Sequence, residues 1–366
     1  MNLLNDEFYM SLALDMAERA QGQTEINPVV GCVIVKDGRV VGMGAHLKRG
    51  TGHAEVHALN MAGAEAEGAT AYVTLEPCSH YGKTPPCSDR LIAERIKRVV
   101  VAAVDPNPQV AGSGIERLRS HGIEVVTGVL AQRSERLNET FNKYITTGMP
   151  FVTLKTASTL DGRLAARTGD SKWISNAAAR EHVHALRHRH QAIMVGIGTA
   201  LADDPELTTR TEVPGLHPLR IVIDSQLRIP HDAHLLNTEV APTIIITTAQ
   251  ADAARIAELE SRNVQVLICG EGKHVDLHQA LRRLGELEIS SILLEGGGKL
   301  NGAMLEAGLV DRITLFFAPK LIGGDMSTFV FNGFDQMSQA VTLDEVEVER
   351  LQDNVCISGR ALYHHL

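Results

Sequence analysis

The chain is 366 residues long, too long for one ordinary domain and short for three, which sets a two-domain expectation. Hydrophobic residues make up 44% and charged residues 22%, the balance of a globular protein with a substantial core, and this excludes a disordered chain. A formal charge of −9 and a pI near 6.0 exclude a strong overall field for nucleic acid, though not a local basic patch.

The first residues include Asp6, Glu7, Asp15 and Glu18 and no basic leader, which argues against a secretory signal. The pattern in chain order begins with an amphipathic helix over about residues 6–20. The apolar run VVGCVIV (29–35) is strand-sized, far short of the roughly 18 residues that span a bilayer, so no membrane partner is expected. Asp37-Gly38 then turns the chain into a second strand near Val40. A helix starts near Ala54, AYVTL (71–75) is a strand, and a further helix follows Pro86. RVVVAAV (98–104), a helix near 114–120 and the short strand IEVV complete the first half. Strands separated by helices predict a mostly parallel sheet covered on both faces. The pattern breaks around 146–150, which divides the chain into domains 1–147 and 148–366. The second half restarts with FVTLKTA and carries strands near 191–197, 219–224, 243–248, 264–268 and 290–294, then a strand-rich tail from about 312. Both halves read as α/β.

Five cysteines, widely and unevenly spaced, make no disulfide framework and point to a reducing cytoplasm. Cys32, Cys269 and Cys356 read as filler. The chemistry lies in His53-Ala54-Glu55, Glu76-Pro77-Cys78 and, nine residues later, Cys87. One imidazole and two thiolates suit a tetrahedral zinc with its fourth position open for water, and the metal would make that water acidic near neutral pH. Glu55, two residues from His53, is placed to take a proton from the water and return it to a leaving amine. A continuous helix would hold Cys78 and Cys87 about 13 Å apart, so the intervening SHYGKTPP must be a loop. The competing reading is a structural zinc, closed by His57 or His80, or two unrelated buried thiols. The general zinc-deaminase signature, H-x-E with P-C-x-x-C, is met except that eight residues rather than two separate the cysteines.

HAEVHAL followed by TLEPCSHYGKTPPC resembles the bifunctional pyrimidine deaminase/reductase family of bacterial riboflavin biosynthesis, in which the longer loop is usual. The resemblance implies a cytidine-deaminase-like three-layer αβα domain with His53, Cys78 and Cys87 on zinc and Glu55 as proton shuttle. It also implies that Asn27 holds the substrate and that His46 and Lys83 meet its ribose phosphate. Lys83 on the inter-cysteine loop is a physically reasonable phosphate anchor, or simply a solvated lysine.

Two glycine-rich segments mark the second half. ILLEGGGKLNGAML (292–305) places Asn301 where a dinucleotide fingerprint needs its third glycine, and VGIGTALADDP (195–205) places Leu201 there. Taken alone, each is a tight turn. KTASTLDGRLA, GDSKWIS, GIGTALADDPELTTR and LEGGGKL resemble the reductase half of the same family. That implies a dihydrofolate-reductase-like α/β domain that binds NADPH without a Rossmann motif. Ala157, Trp173, Thr199 and Asp203 would lie along the cofactor, with Ser225 and Gly296, Gly297 and Gly298 at its phosphates. Ser171, Arg187, Leu207, Arg210 and Glu295 would touch substrate, with Lys155 and Asp203 polarising the opened sugar. From residue type alone, Arg187 and Arg210 suit a sugar phosphate. Trp173 reads as a core anchor rather than a flat wall for a ring. REHVHALRHRH (180–190) reads as a solvated helix face with no metal.

The expected function is therefore two steps on one phosphorylated ribosylaminopyrimidine: zinc-dependent deamination, then NADPH-dependent reduction of the ribose to ribitol. The family tends to assemble, which implies a homo-oligomer. A nucleic-acid-editing deaminase would need a basic face and stacking aromatics, and aromatics are only 4%. A non-catalytic regulator would instead close the zinc shell with protein ligands and merely sense a nucleotide.

Overall fold

Asn5 starts the first helix: its side chain accepts the Phe8 N–H, and Asp6 and Glu7 fill the first turn, where the helix dipole favours negative charge. The computed structural model describes residues 4–81, 85–107 and 110–364, and the chain divides into two compact units, the first ending at Gly148 and the second beginning at Met149. Among the described residues no helix is long and apolar enough to cross a membrane.

Unit 1 runs α1 (Asp6–Glu18), β1 (Gly31–Lys36), β2 (Arg39–Ala45), α2 (Ala54–Ala62), β3 (Thr70–Leu75), α3 (Cys87–Ala93), β4 (Arg98–Ala103), α4 (Ser113–Ser120), β5 (Glu124–Thr127), α5 (Ala131–Leu137) and α6 (Glu139–Thr147). The β1–β2 turn uses Asp37 and Gly38 at φ +48° and +75°, the left-handed pair a two-residue hairpin needs. The sheet order is β2-β1-β3-β4-β5. The expected mostly parallel sheet holds with one exception: β1 is antiparallel to its neighbours β2 and β3, while the other four strands run the same way. The hairpin reverses the chain before α2 crosses over, so β3 runs with β2 and lands on the far side of β1. Both faces are covered. Cys32, Ile34, Val73 and Val101 pack with Ala58, Leu59 and Leu91, while Val33, Val35, Tyr72 and Val100 pack with Met10, Ala13 and Leu14.

Unit 2 runs β6 (Phe151–Thr159), α7 (Ala177–Arg189), β7 (Ala192–Gly196), α8 (Ile197–Asp203), β8 (Leu219–Ile223), β9 (Thr243–Thr247), α9 (Ala253–Ser261), β10 (Gln265–Ile268), α10 (Leu277–Glu286), β11 (Ser291–Leu294), α11 (Gly298–Glu306), β12 (Arg312–Ala318), β13 (Thr342–Leu351) and β14 (Asn354–Leu362). Its sheet order is β10-β9-β8-β7-β11-β6-β12-β14-β13, parallel from β10 through β12 and antiparallel for the last two strands. Alternate residues of β7 feed opposite faces, Ala192 and Met194 one cluster and Ile193 and Val195 the other.

Close packing of α1 on β1 depends on one missing side chain. A Cβ at Gly31 would stand 1.9 Å from the Ala13 carbonyl oxygen, whereas one at Gly198 meets nothing within 4 Å. Gly31→Ala is expected to lower the unfolding midpoint of unit 1 by several degrees, an overpacking cost of about 1–3 kcal/mol, with Gly198→Ala near neutral. Equal midpoints for the two variants in a thermal melt would contradict this packing.

Candidate active sites in the two units

The unit 1 site is assembled at two helix N-termini. His53 is the extended N-cap residue of α2, Glu55 lies in that helix's first turn, and Cys87 opens α3. Cys78 follows β3 through Leu75-Glu76-Pro77. His53 Nδ1 lies 3.6 Å from Cys78 Sγ and 3.3 Å from Cys87 Sγ, and the three donor atoms fall within 4.8 Å of one another. Donors about 2.3 and 2.0 Å from one tetrahedral zinc stand roughly 3.6 Å apart, so these residues fit that ion. Among the described residues no fourth ligand joins them, and His57 and His80 are exposed rather than closing a structural shell. Contact with Cys87 and then His53 holds the Cys78 thiol at about 4, while contact with Cys78 and burial push Cys87 far above the ordinary thiol value.

Glu55 is 3% exposed. Burial and then the Cys78 charge raise its carboxyl to about 7, and that carboxyl meets the Cys87 thiol. Asn27 and His46 come together beside this centre. Asn27 Nδ2 is 3.1 Å from His46 Nε2, His46 Nδ1 is 3.3 Å from the Gly52 carbonyl oxygen, and the His46 ring stands edge-on to His53 at 5.3 Å between centroids. The carbonyl can only accept, so Nδ1 carries the proton and Nε2 accepts from the amide of Asn27. Burial lowers the His46 pKa from its ordinary value, in the direction of that neutral tautomer. Lys83 lies outside the described residues.

Sequence reasoning assigned no role to Glu76, the residue that fixes the Cys78 loop. Its buried carboxylate accepts four backbone N–H groups, from Gly112 (2.9 Å), Gly114 (2.8 Å), Asp105 (3.3 Å) and Ile115 (3.3 Å). The approach is so close that a Cβ at Gly114 would sit 2.0 Å from the Pro77 carbonyl oxygen. Asn138 performs a similar clamp on Val29, accepting its N–H at 2.9 Å and donating to its carbonyl at 3.0 Å, which steadies the chain just after Asn27. The available signal was a glutamate directly before Pro77-Cys78.

In unit 2 the structure brings Lys155, Arg187 and Glu295 together. Glu295 follows β11, which lies between β6 and β7. Arg187 forks onto it through Nε (2.8 Å) and Nη2 (3.1 Å), Lys155 Nζ donates at 3.3 Å, and Arg187 Nη1 donates to the Thr208 carbonyl at 3.0 Å. Burial would raise the Glu295 carboxyl, but Arg187 and then Lys155 outweigh it and hold it at about 2. Arg187 thus spends its fork on a protein carboxylate. The two glycine-rich segments lie side by side: Gly297 caps α11, Gly196 caps α8, and a Cβ at Gly297 would be 3.4 Å from Thr199 Oγ1. No side chain caps the α11 N-terminus, which fits a phosphate-bearing cofactor. Ser225 Oγ accepts the Val275 N–H at 3.2 Å, which leaves its own proton to donate. Ala157 and Ser171 are half-buried and Leu207 is buried at φ +55°. Asp203 and Arg210 are exposed, Arg210 paired with Glu206 at 3.2 Å.

Two sequence readings need correction. Trp173 is not a core anchor: it is 66% exposed, with the Arg180 guanidinium 4.6 Å above its ring. The run 180–190 is not a solvated face either. Val183 is buried, most of its neighbours are half-buried, and His190 bridges the Leu186 carbonyl (2.7 Å) and Thr153 Oγ1 (2.9 Å).

Glu76→Gln, which turns an amide donor toward backbone donors, is expected to destabilise unit 1 by about 1–3 kcal/mol and to weaken zinc binding about tenfold. Unaltered chelator competition and melting would remove Glu76 from that role. A pH effect follows from the imidazoles of unit 2. Burial, above all, lowers His184 and His190 from 6.5 to about 4. Their contribution to stability is fully present above 6.5 and is lost as pH falls toward 4, because the unfolded chain then binds protons that the folded chain refuses. The loss in unit 2 should be on the order of 2 kcal/mol across that window and shallower in His190→Gln. Urea unfolding at stepped pH measures both slopes, and identical slopes would show that His190 is not held neutral.

Comparison with known proteins agrees with this geometry. Residues 4–103 match the cytidine and deoxycytidylate deaminase zinc-binding region, and residues 150–357 match the RibD C-terminal domain. The riboflavin biosynthesis protein RibD of Bacillus amyloliquefaciens is 44% identical over 356 residues, covering 97% of this chain and 96% of that protein. RibD of Escherichia coli K12 is 44% identical over 368 residues, covering 97% and 99%. Among solved structures, one form of Acinetobacter baumannii RibD superposes with a TM-score of 0.87 at 39% identity, covering 98% of this chain and 99% of that one. A Thermotoga maritima structure described as a diaminohydroxyphosphoribosylaminopyrimidine deaminase/5-amino-6-(5-phosphoribosylamino)uracil reductase superposes with a TM-score of 0.85 at 35% identity, covering 98% and 99%. With a zinc-binding deaminase unit, a reductase unit and relatives of this identity along nearly its whole length, the chain belongs to the RibD family of bifunctional riboflavin-biosynthesis enzymes.

Proposed function

We propose that unit 1 hydrolytically deaminates diaminohydroxyphosphoribosylaminopyrimidine and that unit 2 reduces the ribose of the product to ribitol, with the residues below in the working roles. The observation that carries this reading is the convergence of His53, Cys78 and Cys87 beside a buried Glu55 raised to about 7. Zinc, when bound by those three ligands, supplies the Lewis acidity that makes a water acidic near neutral pH. Glu55 takes a proton from the attacking water and delivers it to the leaving amine, so that the ring gains oxygen and ammonia departs. A carboxyl poised near neutrality serves as base and acid in turn. Asn27, its amide oriented by His46, presents its side-chain oxygen to a ring amino group. His46 and Lys83 would meet the ribose phosphate.

In unit 2, NADPH, when bound, would supply the hydride for C1 of the opened ribose. Lys155, held by Glu295, and Asp203 polarise the opened sugar. Arg187 orders Glu295, and Ser171, Leu207 and Arg210 complete the substrate contacts. Ala157, Trp173 and Thr199 line the cofactor, with Ser225 and the Gly296–Gly298 backbone at its phosphates; Thr199 beside Gly297 supports this. The chain would work as a cytoplasmic homo-oligomer on a small phosphorylated substrate rather than on nucleic acid.

Mass spectrometry of the diaminopyrimidine ribose phosphate after incubation with the protein tests both steps. The amine-to-oxo product should form without NADPH and gain two hydrogens only when NADPH is added. Glu55→Gln should keep its zinc and lose about 10²- to 10⁴-fold in deamination, while still reducing supplied deaminated substrate. Lys155→Met should show the reverse. Substrate returned unchanged by zinc-loaded parent protein would sink the reading and favour a regulatory role.

A further inference from the structure

The histidine-rich helix α7 has a use that neither reaction accounts for. His184 and His188, one turn apart, both aim Nδ1 at backbone N–H groups of the segment that follows α8. Arg210 N–H donates to His184 Nδ1 at 3.1 Å, and Leu216 N–H donates to His188 Nδ1 at 3.0 Å. From the far end of the same segment, His217 Nδ1 accepts the Thr209 N–H at 3.3 Å. A backbone N–H can only donate, so each of these Nδ1 atoms is an unprotonated acceptor and each ring carries its proton on Nε2. Arg187, on the same helix, adds its hydrogen bond to the Thr208 carbonyl. The segment enters this clasp through Leu207 at φ +55°, so the chain is turned sharply into place. Gly215 leaves room for the clasp: a Cβ there would lie 2.8 Å from Thr209 Cγ2 and 3.2 Å from His188 Nδ1.

We propose that His184, His188 and His217 are positioning residues of the reductase half: neutral imidazoles that clamp the backbone of Thr209, Arg210 and Leu216 and thereby fix where Arg210 presents its guanidinium to the substrate. The inference rests on the reading that Arg210 contacts substrate. The backbone clamp is needed because the Arg210 side chain is 58% exposed and, among the described residues, is steadied only by Glu206 and Thr208 at 3.2 and 3.1 Å, both within the same segment. Without the imidazoles the whole group would drift together. Two acceptors on a packed helix anchor it from outside, and His217 ties the two ends of the segment to each other.

The test uses the full-length, zinc-loaded protein. His184→Leu and His188→Leu remove the acceptor, and His184→Asn and His188→Asn keep one, since the asparagine side-chain oxygen falls near the Nδ1 position. Hydrogen exchange of residues 209–216 should be faster in the leucine variants and near parental in the asparagine variants. The KM for the deaminated substrate should rise about five- to tenfold in the leucine variants, corresponding to the loss of about one hydrogen bond. The KM for NADPH and the deaminase rate should stay at parental values. Gly215→Ala, which crowds the clasp without replacing a residue of α7, should raise the same KM, and it serves if a leucine variant does not fold. Unchanged exchange in the leucine variants overturns the clamp. Faster exchange with an unchanged KM overturns the positioning role, provided Arg210→Ala does raise that KM. If Arg210→Ala leaves it unchanged as well, the substrate reading of Arg210 is what fails.

Discussion

Burying a carboxylate is costly unless its charge is met, and the two sites are organised around three glutamates, Glu55 and Glu76 buried and Glu295 half-buried, that meet this cost differently. Glu76 gives its charge to four backbone N–H groups and becomes a rigid post for the Cys78 loop. Glu295 gives its charge to Arg187 and Lys155, stays ionised at about 2, and ties β6, α7 and β11 into one wall. Glu55 has neither solution. Burial and then the Cys78 charge outweigh what His53 and the Cys87 thiol offer it, and its carboxyl rises to about 7. The one glutamate left without full compensation is the one placed to exchange protons. Structural and chemical carboxylates are thus separated by their surroundings rather than by their sequence.

Much of this was legible in the sequence where a short-range rule applied. The spacing of His53, Glu55, Cys78 and Cys87 carries its own geometry, because sulfurs on one ion cannot sit a helix length apart. The Asp37-Gly38 turn and the strand runs of unit 2 are equally local signals. Strand direction was not legible. A hairpin followed by a crossover helix leaves β3 running with β2 but hydrogen-bonded to β1, and the residues of β3 look the same in either arrangement. Nor was the Glu76 clamp, since its partners at 105–115 lie some 30 to 40 residues along the chain and offer only backbone atoms. A side chain that binds backbone leaves no complementary residue type to find.

Trp173 and the run 180–190 show where composition misleads. A lone tryptophan suggests a core, but here its ring lies under Arg180 at the surface, an arrangement that keeps a flat apolar face available. Histidines beside arginines suggest a solvated face, since both residue types are polar. What decides is the neutral imidazole's mix of one donor and one acceptor: His184 and His188 each accept a backbone N–H, while His190 donates to the Leu186 carbonyl and accepts from Thr153 Oγ1, and so all three take half-buried places that a charged side chain could not hold without a counter-ion.

The failed dinucleotide fingerprint has a similar physical reason. The third glycine of that pattern exists so that helix and strand can pack closely. In unit 2 the corresponding Asn301 is wholly buried, donating to the Thr328 carbonyl at 3.3 Å, and its side-chain oxygen would lie 2.6 Å from a Cβ on Gly296. The close approach is therefore kept, but between an amide side chain and the loop glycine rather than between two backbones. Gly298 answers the same demand from the other side, where a Cβ would stand 2.3 Å from the Ser327 carbonyl oxygen. A glycine pattern encodes which backbone must come near which. When an asparagine and a distant loop supply the neighbour, the spacing changes while the physical requirement, an uncapped helix N-terminus reached through a loop without side chains, is unaltered.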